Sequence, residues 1–272
     1  MPAANFILKQ WEKQQTVFLQ NLDGLRTRDK EKIIERVHDL RVATKKLRSY
    51  LKLLALLLNK KDYTASFEKT EQLFNVLGKH RDIEMGLEVI SFLEKESKIS
   101  YTAFAHYLKA VHQQVWIWVQ AALKNYDEKE LVALTILVEQ DLNDKNNDEL
   151  LHKLNGIVEK ELNKSRRLAN NLSQQPHLIR KLFKDIFYWA SLLPKEIQAP
   201  DQLKRIKKSL EYLGNWQDLE MLHRKIKHFR KDFVPDSRED HRLLKELEKA
   251  IMDKKQKILG AAGENIHNAL SH

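Results

Sequence analysis

Glycine and proline supply only 12 of the 272 residues, seven and five respectively, where average usage of about 7% and 5% would give roughly 33. A chain so poor in the two residues that interrupt regular backbone has few places to turn, so its elements must be long. Leu, Lys, Glu and Ala are abundant, and all favour helix. There is no sustained alternation of apolar and polar residues. No Asn-Gly or Asp-Gly pair lies between β-rich runs, and Asp23-Gly24 joins two helical patterns. The predicted fold class is all-α. The periodicity predicts helices at about 5–21, 29–59, 62–78, 82–97, 100–125, 128–143, 147–172, 177–193, 201–213, 217–232 and 237–269. Pro176, Pro194, Pro200 and Pro235 all fall at the joints. Gly78 and Gly214 are expected to close helices, with Asp82 and Asp218 opening the next ones.

One pattern occurs twice. Its first copy runs from VHDLRVATKKLRSYLKLL (Val37–Leu54) to LGKHRDIEM (Leu77–Met85), and its second from PHLIRKLFKDIFYWASLL (Pro176–Leu193) to LGNWQDLEM (Leu213–Met221). Gly78 and Gly214, Asp82 and Asp218, Glu84 and Glu220, and Met85 and Met221 are each offset by 136, whereas His38 and His177 are offset by 139. A slip of three is what one loop absorbs. A repeat of this length predicts one supersecondary unit built twice. We therefore expect a single domain over 1–272, with half-repeats at about 1–126 and 127–272, folded as two pseudo-twofold-related four-helix bundles.

Charge is concentrated on the repeat. The net charge is +10, from 48 Lys+Arg and 38 Asp+Glu. Residues 36–52 carry six cations and one acid, and residues 177–208 carry eight cations and three acids, leaving 34 of each sign elsewhere. Such a concentrated positive field favours a polyanionic partner. With no cysteine, thiolate chemistry and disulfides are excluded, and a reducing cytoplasm suits the chain. The start MPAANFILKQWEKQ lacks the layout of a signal peptide. The most apolar run, Leu51–Leu58, is broken by Lys52 and too short for a membrane span, so no membrane partner is expected.

Helical spacing sorts the first copy into two stripes. Val37, Leu40, Thr44, Leu47, Leu51, Leu54 and Leu58 form an apolar one. His38, Arg41, Lys45, Arg48 and Lys52 follow one residue later and run beside it over about four turns, roughly 20 Å. In the second copy His177, Arg180 or Lys181, Lys184 and Tyr188 repeat the phase, while Ile179, Leu182, Ile186, Trp189 and Leu193 supply the apolar face. A cationic helix face is ordinarily a solvated surface. Here no acid at i+4 neutralises the stripe, the pattern recurs, and a bound polyanion would relieve its self-repulsion. Asp82, Glu84, Asp218 and Glu220 would be structural acids at helix starts rather than catalytic carboxylates.

The run RVHDLRVATKKLRSYL with the later LGKHRDIEM resembles the CHAD family, the conserved histidine α-helical domain. The resemblance spans nearly the whole chain. It implies two pseudo-symmetric four-helix bundles around a basic cleft that binds inorganic polyphosphate without catalysis and without a cofactor. Many members carry a CYTH triphosphatase domain, for which 272 residues are not expected to leave room. The family's first-half pattern falls on His38, Arg41, Lys45, Lys46 and Arg48. Lysines stand at the doublet where the family usually has arginine, which keeps charge but loses the bidentate fork. In the second half the pattern falls on His177, Arg180 and Lys184, with Tyr188 kept. Phe187 stands where an arginine is usual, and Ser191 where an acid is. Spacing and charge add Lys52, Lys181, Lys204, Lys207 and Lys208 to the expected binding set. Polyphosphate granules or polyphosphate-metabolising enzymes are expected associates.

Two other classes are less well supported. A nucleic-acid binder would show exposed aromatics among its cations, a helix-turn-helix or a zinc-ligand signature. The stripes show Leu and Val instead, and Trp116 and Trp118 lie in an apolar run expected to be core. A metal-dependent phosphohydrolase would need ligands, yet the 11 histidines form no His-Glu-x-x-His and no close His/Asp cluster with ligand spacing. A Walker-type Gly-Lys-Ser/Thr loop is absent. No metal site is expected.

Overall fold

The computed structural model describes residues 3–27, 32–60, 63, 65–232 and 238–270. Those residues contain no strand. Their helices are α1 (Ala3–Arg26), α2 (Ile33–Leu58), α3 (Glu68–Ser97), α4 (Thr102–Asn125), α5 (Lys129–Asn143), α6 (Asn147–Ala169), α7 (Pro176–Ala190), α8 (Pro200–Asp232) and α9 (Arg238–Leu270). A 3-10 turn at Ala65–Phe67 leads into α3. The all-α prediction holds.

The packing closes two rings. In the first, α1 packs on α2, α2 on α3, α3 on α4, and α4 returns to α1. In the second, α6 packs on α7, α7 on α8, α8 on α9, and α9 returns to α6. The rings join where α2 meets α7 and α3 meets α8. Helix α5, assigned by sequence to the second half-repeat, packs against α1 and the 3-10 turn of the first. Trp11 donates its indole N–H to Thr135 at 2.8 Å, and Tyr63 donates to Asp141 at 2.7 Å. Those bonds hold α5 on the first ring.

The apolar stripes go where their spacing sends them. Val37, Leu40, Thr44, Leu47, Leu51 and Leu54 are buried in α2, as are Ile179, Leu182, Ile186 and Trp189 in α7. Full burial of such side chains contributes about 1.5–3 kcal/mol each. The Thr44 hydroxyl, which burial would otherwise penalise, donates to the Leu40 carbonyl at 2.8 Å. Local signals set several ends. Pro176 opens α7 from its first turn. The Asn146 side chain accepts from the amides of Asp148 and Glu149 to cap α6. Asn59 and Lys98 adopt left-handed conformations, φ 50 and 58, after α2 and α3.

Three expectations fail here, for identifiable reasons. The predicted breaks at Gly78 and Gly214 do not exist, because α3 and α8 run straight through both glycines and through Asp82 and Asp218. A lone glycine costs a helix only about 1 kcal/mol, which tertiary packing overrides. Asp23-Gly24 likewise lies within α1. Trp118 is 47% exposed, with the Lys79 ammonium 5.4 Å from its ring. Residues two apart on a helix cannot share a face, and Trp116 takes the inward one. Pro235 lies outside the described residues.

Candidate functional site

Because α2 meets α7 and α3 meets α8, the cationic stripes of both halves face one cleft of about 700 Å³. Of the residues singled out from sequence, His38, Arg41, Lys45, Arg48, Lys52, His177, Arg180, Lys181 and Lys184 line it. Arg81 and Lys164 add two cations, so nine cations face three carboxylates, Asp82, Asp185 and Asp218. Lys46 does not line the cleft. It turns toward α1, where burial and the charge of Lys13 hold its ammonium below the ordinary lysine range. Lys204, Lys207 and Lys208 are exposed on α8, also outside the cleft. Lys207 and Lys204 precede Asp218 by about three and four helical turns and so continue its face along α8.

The seam between the halves is polar and specific. The Ser49 hydroxyl donates to Asp185 at 2.7 Å, Lys52 donates to the same carboxylate at 2.6 Å, and the Trp189 indole donates to the Ser49 carbonyl at 2.9 Å. These bonds fix α2 against α7, and with it the spacing of the two stripes.

In the first half, the Phe74 ring is a platform for guanidinium groups. Arg41 lies 4.2 Å and Arg48 4.5 Å from its centroid. Arg41 also donates to the Phe74 carbonyl at 2.7 Å. This geometry accounts for Gly78 in mid-helix: a Cβ there would sit 2.7 Å from the Arg41 Nη1. Nothing lies within 4 Å of the corresponding position at Gly214. Arg48 forms a bidentate pair with Glu71 and Lys52 pairs with Asp185, so acids from other helices neutralise two members of a stripe that has none at i+4.

Arg81 and Lys164 have looser ion pairs, with Glu84 at 3.7 Å and Glu161 at 3.9 Å, but four cations of the cleft are poorly compensated. Among the described residues, Arg41, Lys45, Arg180 and Lys184 form no ion pair with a carboxylate, and the buried Nε of Arg180 has no hydrogen-bond partner. Burial first, then Arg41 and Arg180, pushes the Lys45 ammonium down to about 8. Burial again, then Arg180, Lys45, Arg41 and Arg48, drives Lys184 down to about 6. Burial and then Arg81 lower His38 as well. Arg41 falls to about 10 by burial and stays charged at neutral pH. Lys45, Lys184 and His38 are groups whose charged forms a bound anion would favour.

Asp82 and Asp218 lie in mid-helix on the cleft wall rather than at helix starts. Burial raises both carboxyls. Arg41 is the main opposing influence on Asp82, and Arg180 on Asp218. The negative charge of Asp82 reaches Asp218 from the other half. Of the other acid pair, Glu84 is buried against His80 and His112, while Glu220 bonds Lys255 at 2.5 Å and Arg224 at 2.9 Å. The sequence did hold the missed signal. Gly78, Asp82 and Met85 are spaced at i, i+4 and i+7, one face of a continuous helix. Reading Gly78 as a terminator hid it.

Fold and cleft together define an all-α protein of two four-helix rings that present cations from both to a common groove. The family model for the CHAD domain matches residues 9–227, and the chain belongs to that family. The crystal structure of the CHAD domain from the plant Ricinus communis is similar, with a TM-score of 0.75 at 15% sequence identity, over 98% of this chain and 92% of that one. No curated protein sequence matches the chain.

Proposed function

We propose that the cleft binds inorganic polyphosphate, without catalysis, as one site shared by two pseudo-twofold-related halves of a single domain. The observation that carries this is the set of cations from both halves that face one groove, of which Arg41, Lys45, Arg180 and Lys184 form no ion pair with a carboxylate among the described residues. Phosphate oxygens accept charge-assisted hydrogen bonds from Arg and Lys and require no base-specific readout. Lys204 and Lys207, further along the face of α8, give longer chains a second stretch of contacts. The nucleic-acid alternative is less well supported because, among the described residues, the cleft holds only two Phe, Tyr or Trp rings for stacking bases, Phe74 and Tyr188, and Phe74 already carries Arg41 and Arg48.

No helix among the described residues is long and apolar enough to cross a membrane. A cytoplasmic protein that joins polyphosphate granules or polyphosphate-metabolising enzymes is the cellular role this binding suggests. The test is a binding isotherm with polyphosphate of varied length, followed by competition with DNA and RNA at fixed salt. Polyphosphate should displace nucleic acid at lower phosphate concentration. Displacement in the opposite order would overturn the assignment. Phosphate release during incubation with magnesium would overturn its non-catalytic part.

A further inference from the structure

On the side of α3 away from the cleft, His80 and Glu84 stand one turn apart and face His112 of α4. His80 and Glu84 are buried, with side chains 2% and 7% exposed, and His112 is 31% exposed. The His80 Nδ1, Glu84 Oε2 and His112 Nε2 are all buried without a hydrogen-bond partner. The Arg81 Nη1, 3.7 Å from the same carboxylate oxygen, is likewise buried without a partner, and four such atoms in one place are costly and call for an explanation. They are not simply bonded to each other. The His80–Glu84 separation is 3.5 Å and the His112–Glu84 separation 3.8 Å, beyond a good hydrogen bond.

Those spacings suit a different arrangement. Ligands held about 2.1 Å from a tetrahedral zinc stand about 3.4 Å from one another. The three candidate ligand atoms all lie within 4.8 Å of each other, so the widest gap needs only a modest rotamer adjustment. Two imidazoles and one carboxylate are a donor set for zinc and its neighbours in the first transition row. The His80 ring packs against two rings of α4, 4.3 Å from that of His112 and 5.1 Å from that of Trp116, which limits its reorientation. The partly exposed His112 gives an ion a route inward.

We infer that His80, Glu84 and His112 form a divalent transition-metal site that staples α3 to α4. The nearby Arg81, whose Nη1 lies 3.7 Å from Glu84 Oε2, is the cation an incoming ion would displace. Arg81 also lines the cleft, so it has an alternative direction to turn.

The test is zinc titration of the full chain by calorimetry, with thermal unfolding followed in parallel. The native protein should bind one equivalent of Zn2+ and melt at a higher temperature in its presence. Glu84→Gln and His112→Ala should each weaken binding by more than about 100-fold, beyond the 10–100-fold typical of losing a group that only orients a ligand. His112→Ala removes a partly exposed ring, so its fold should survive, as circular dichroism would verify. The exposed His106 belongs to no such cluster, and His106→Ala should bind as the native chain does. Absence of a stoichiometric site in the native protein would overturn the inference. So would zinc binding that Glu84→Gln and His112→Ala leave unchanged.

Discussion

The two halves of the cleft use the same scaffold to different ends. In α2 the stripe is charge-rich, and its guanidinium groups are held in place: Arg41 and Arg48 stack on Phe74, and Arg48 is clamped by Glu71. In α7 the positions corresponding to Arg48 and Lys52 are Phe187 and Ser191, and on α8 Leu210 and Gln217 stand where α3 has Phe74 and Arg81. The His177 ring accordingly meets a neutral partner, the Gln217 side chain at 2.9 Å. What the second half keeps is Arg180, with an unpartnered Nε, and Lys184, held down at about 6. The repeat thus yields one half with anchored guanidinium groups and another whose Lys184 is held further down than Lys45 of the first. A helix pair can preserve its packing while the cations it presents diverge, because the apolar and polar stripes are one residue out of phase.

The largest effect should come from reversing charge in the anchored half. Lys45→Glu with Arg48→Glu is expected to weaken polyphosphate binding by on the order of 100-fold. The slope of affinity against salt should also flatten as fewer counterions are released. Helicity by circular dichroism should stay native, since both side chains lie beside the apolar stripe. Arg180→Glu with Lys184→Glu should cost less, on the order of tenfold, because fewer cations remain there to lose. Equal losses would show that the asymmetry has no consequence for binding.

The desolvated cations of both halves predict a pH effect of defined sign. A bound polyanion favours the charged forms of Lys45, Lys184 and His38, so complex formation should take up protons and affinity should rise as pH falls from about 8 to about 6. Calorimetry in buffers of different ionisation enthalpy measures that uptake directly, and Lys184→Met should remove most of it. The same substitution should stabilise the free protein. The folded value for Lys184 lies below the unfolded one, near 10.4, so the unfolded chain binds more protons between about 6 and 10 and stability rises with pH over that window. Near neutrality the buried lysine therefore costs stability, and removing it should raise Tm by a few degrees. A lower Tm for Lys184→Met would indicate that this side chain is paired rather than desolvated.

The smallest contrast is between the two glycines. Gly214→Ala should add about 0.5–1 kcal/mol through helix propensity, with binding unchanged. Gly78→Ala would gain the same propensity but push the Arg41 guanidinium from its bond to the Phe74 carbonyl, so it should weaken binding. Urea denaturation and a polyphosphate isotherm on both variants decide this.

Much of the fold was legible because it rests on spacing. The stripes from Val37 to Leu54 and from Ile179 to Trp189 are buried as their 3-and-4 periodicity requires. So are the placements of His38, Arg41, Lys45, Arg180 and Lys184 at one cleft, which follow from the same phase. What local pattern could not supply was the behaviour of Gly78. The need for a glycine there comes from Arg41, 37 residues away in sequence, whose guanidinium a Cβ would meet. Misplacing that break moved Asp82 and Asp218 from the cleft wall to imagined helix starts, and hid Arg81. Lys46 was misassigned for a different reason. It comes from the family pattern and lies off the 3-and-4 stripe of His38, Arg41, Lys45, Arg48 and Lys52, and its side chain turns toward Lys13 of α1 instead of the cleft. The His80, Glu84 and His112 cluster spans two helices, and a search for a contiguous ligand motif passes over it.

The central claim is that both halves serve one site, and stoichiometry tests it most directly. Titration calorimetry with a long polyphosphate should give one chain bound per protein molecule. Charge reversal in either half should lower affinity well beyond twofold without changing that number, since the second contact is intramolecular and benefits from a high effective concentration. A short polyphosphate should bind weakly and be nearly indifferent to damage in the half it does not occupy. Two equivalents per protein, one lost with each charge-reversal variant while the other keeps its affinity, would contradict the shared cleft.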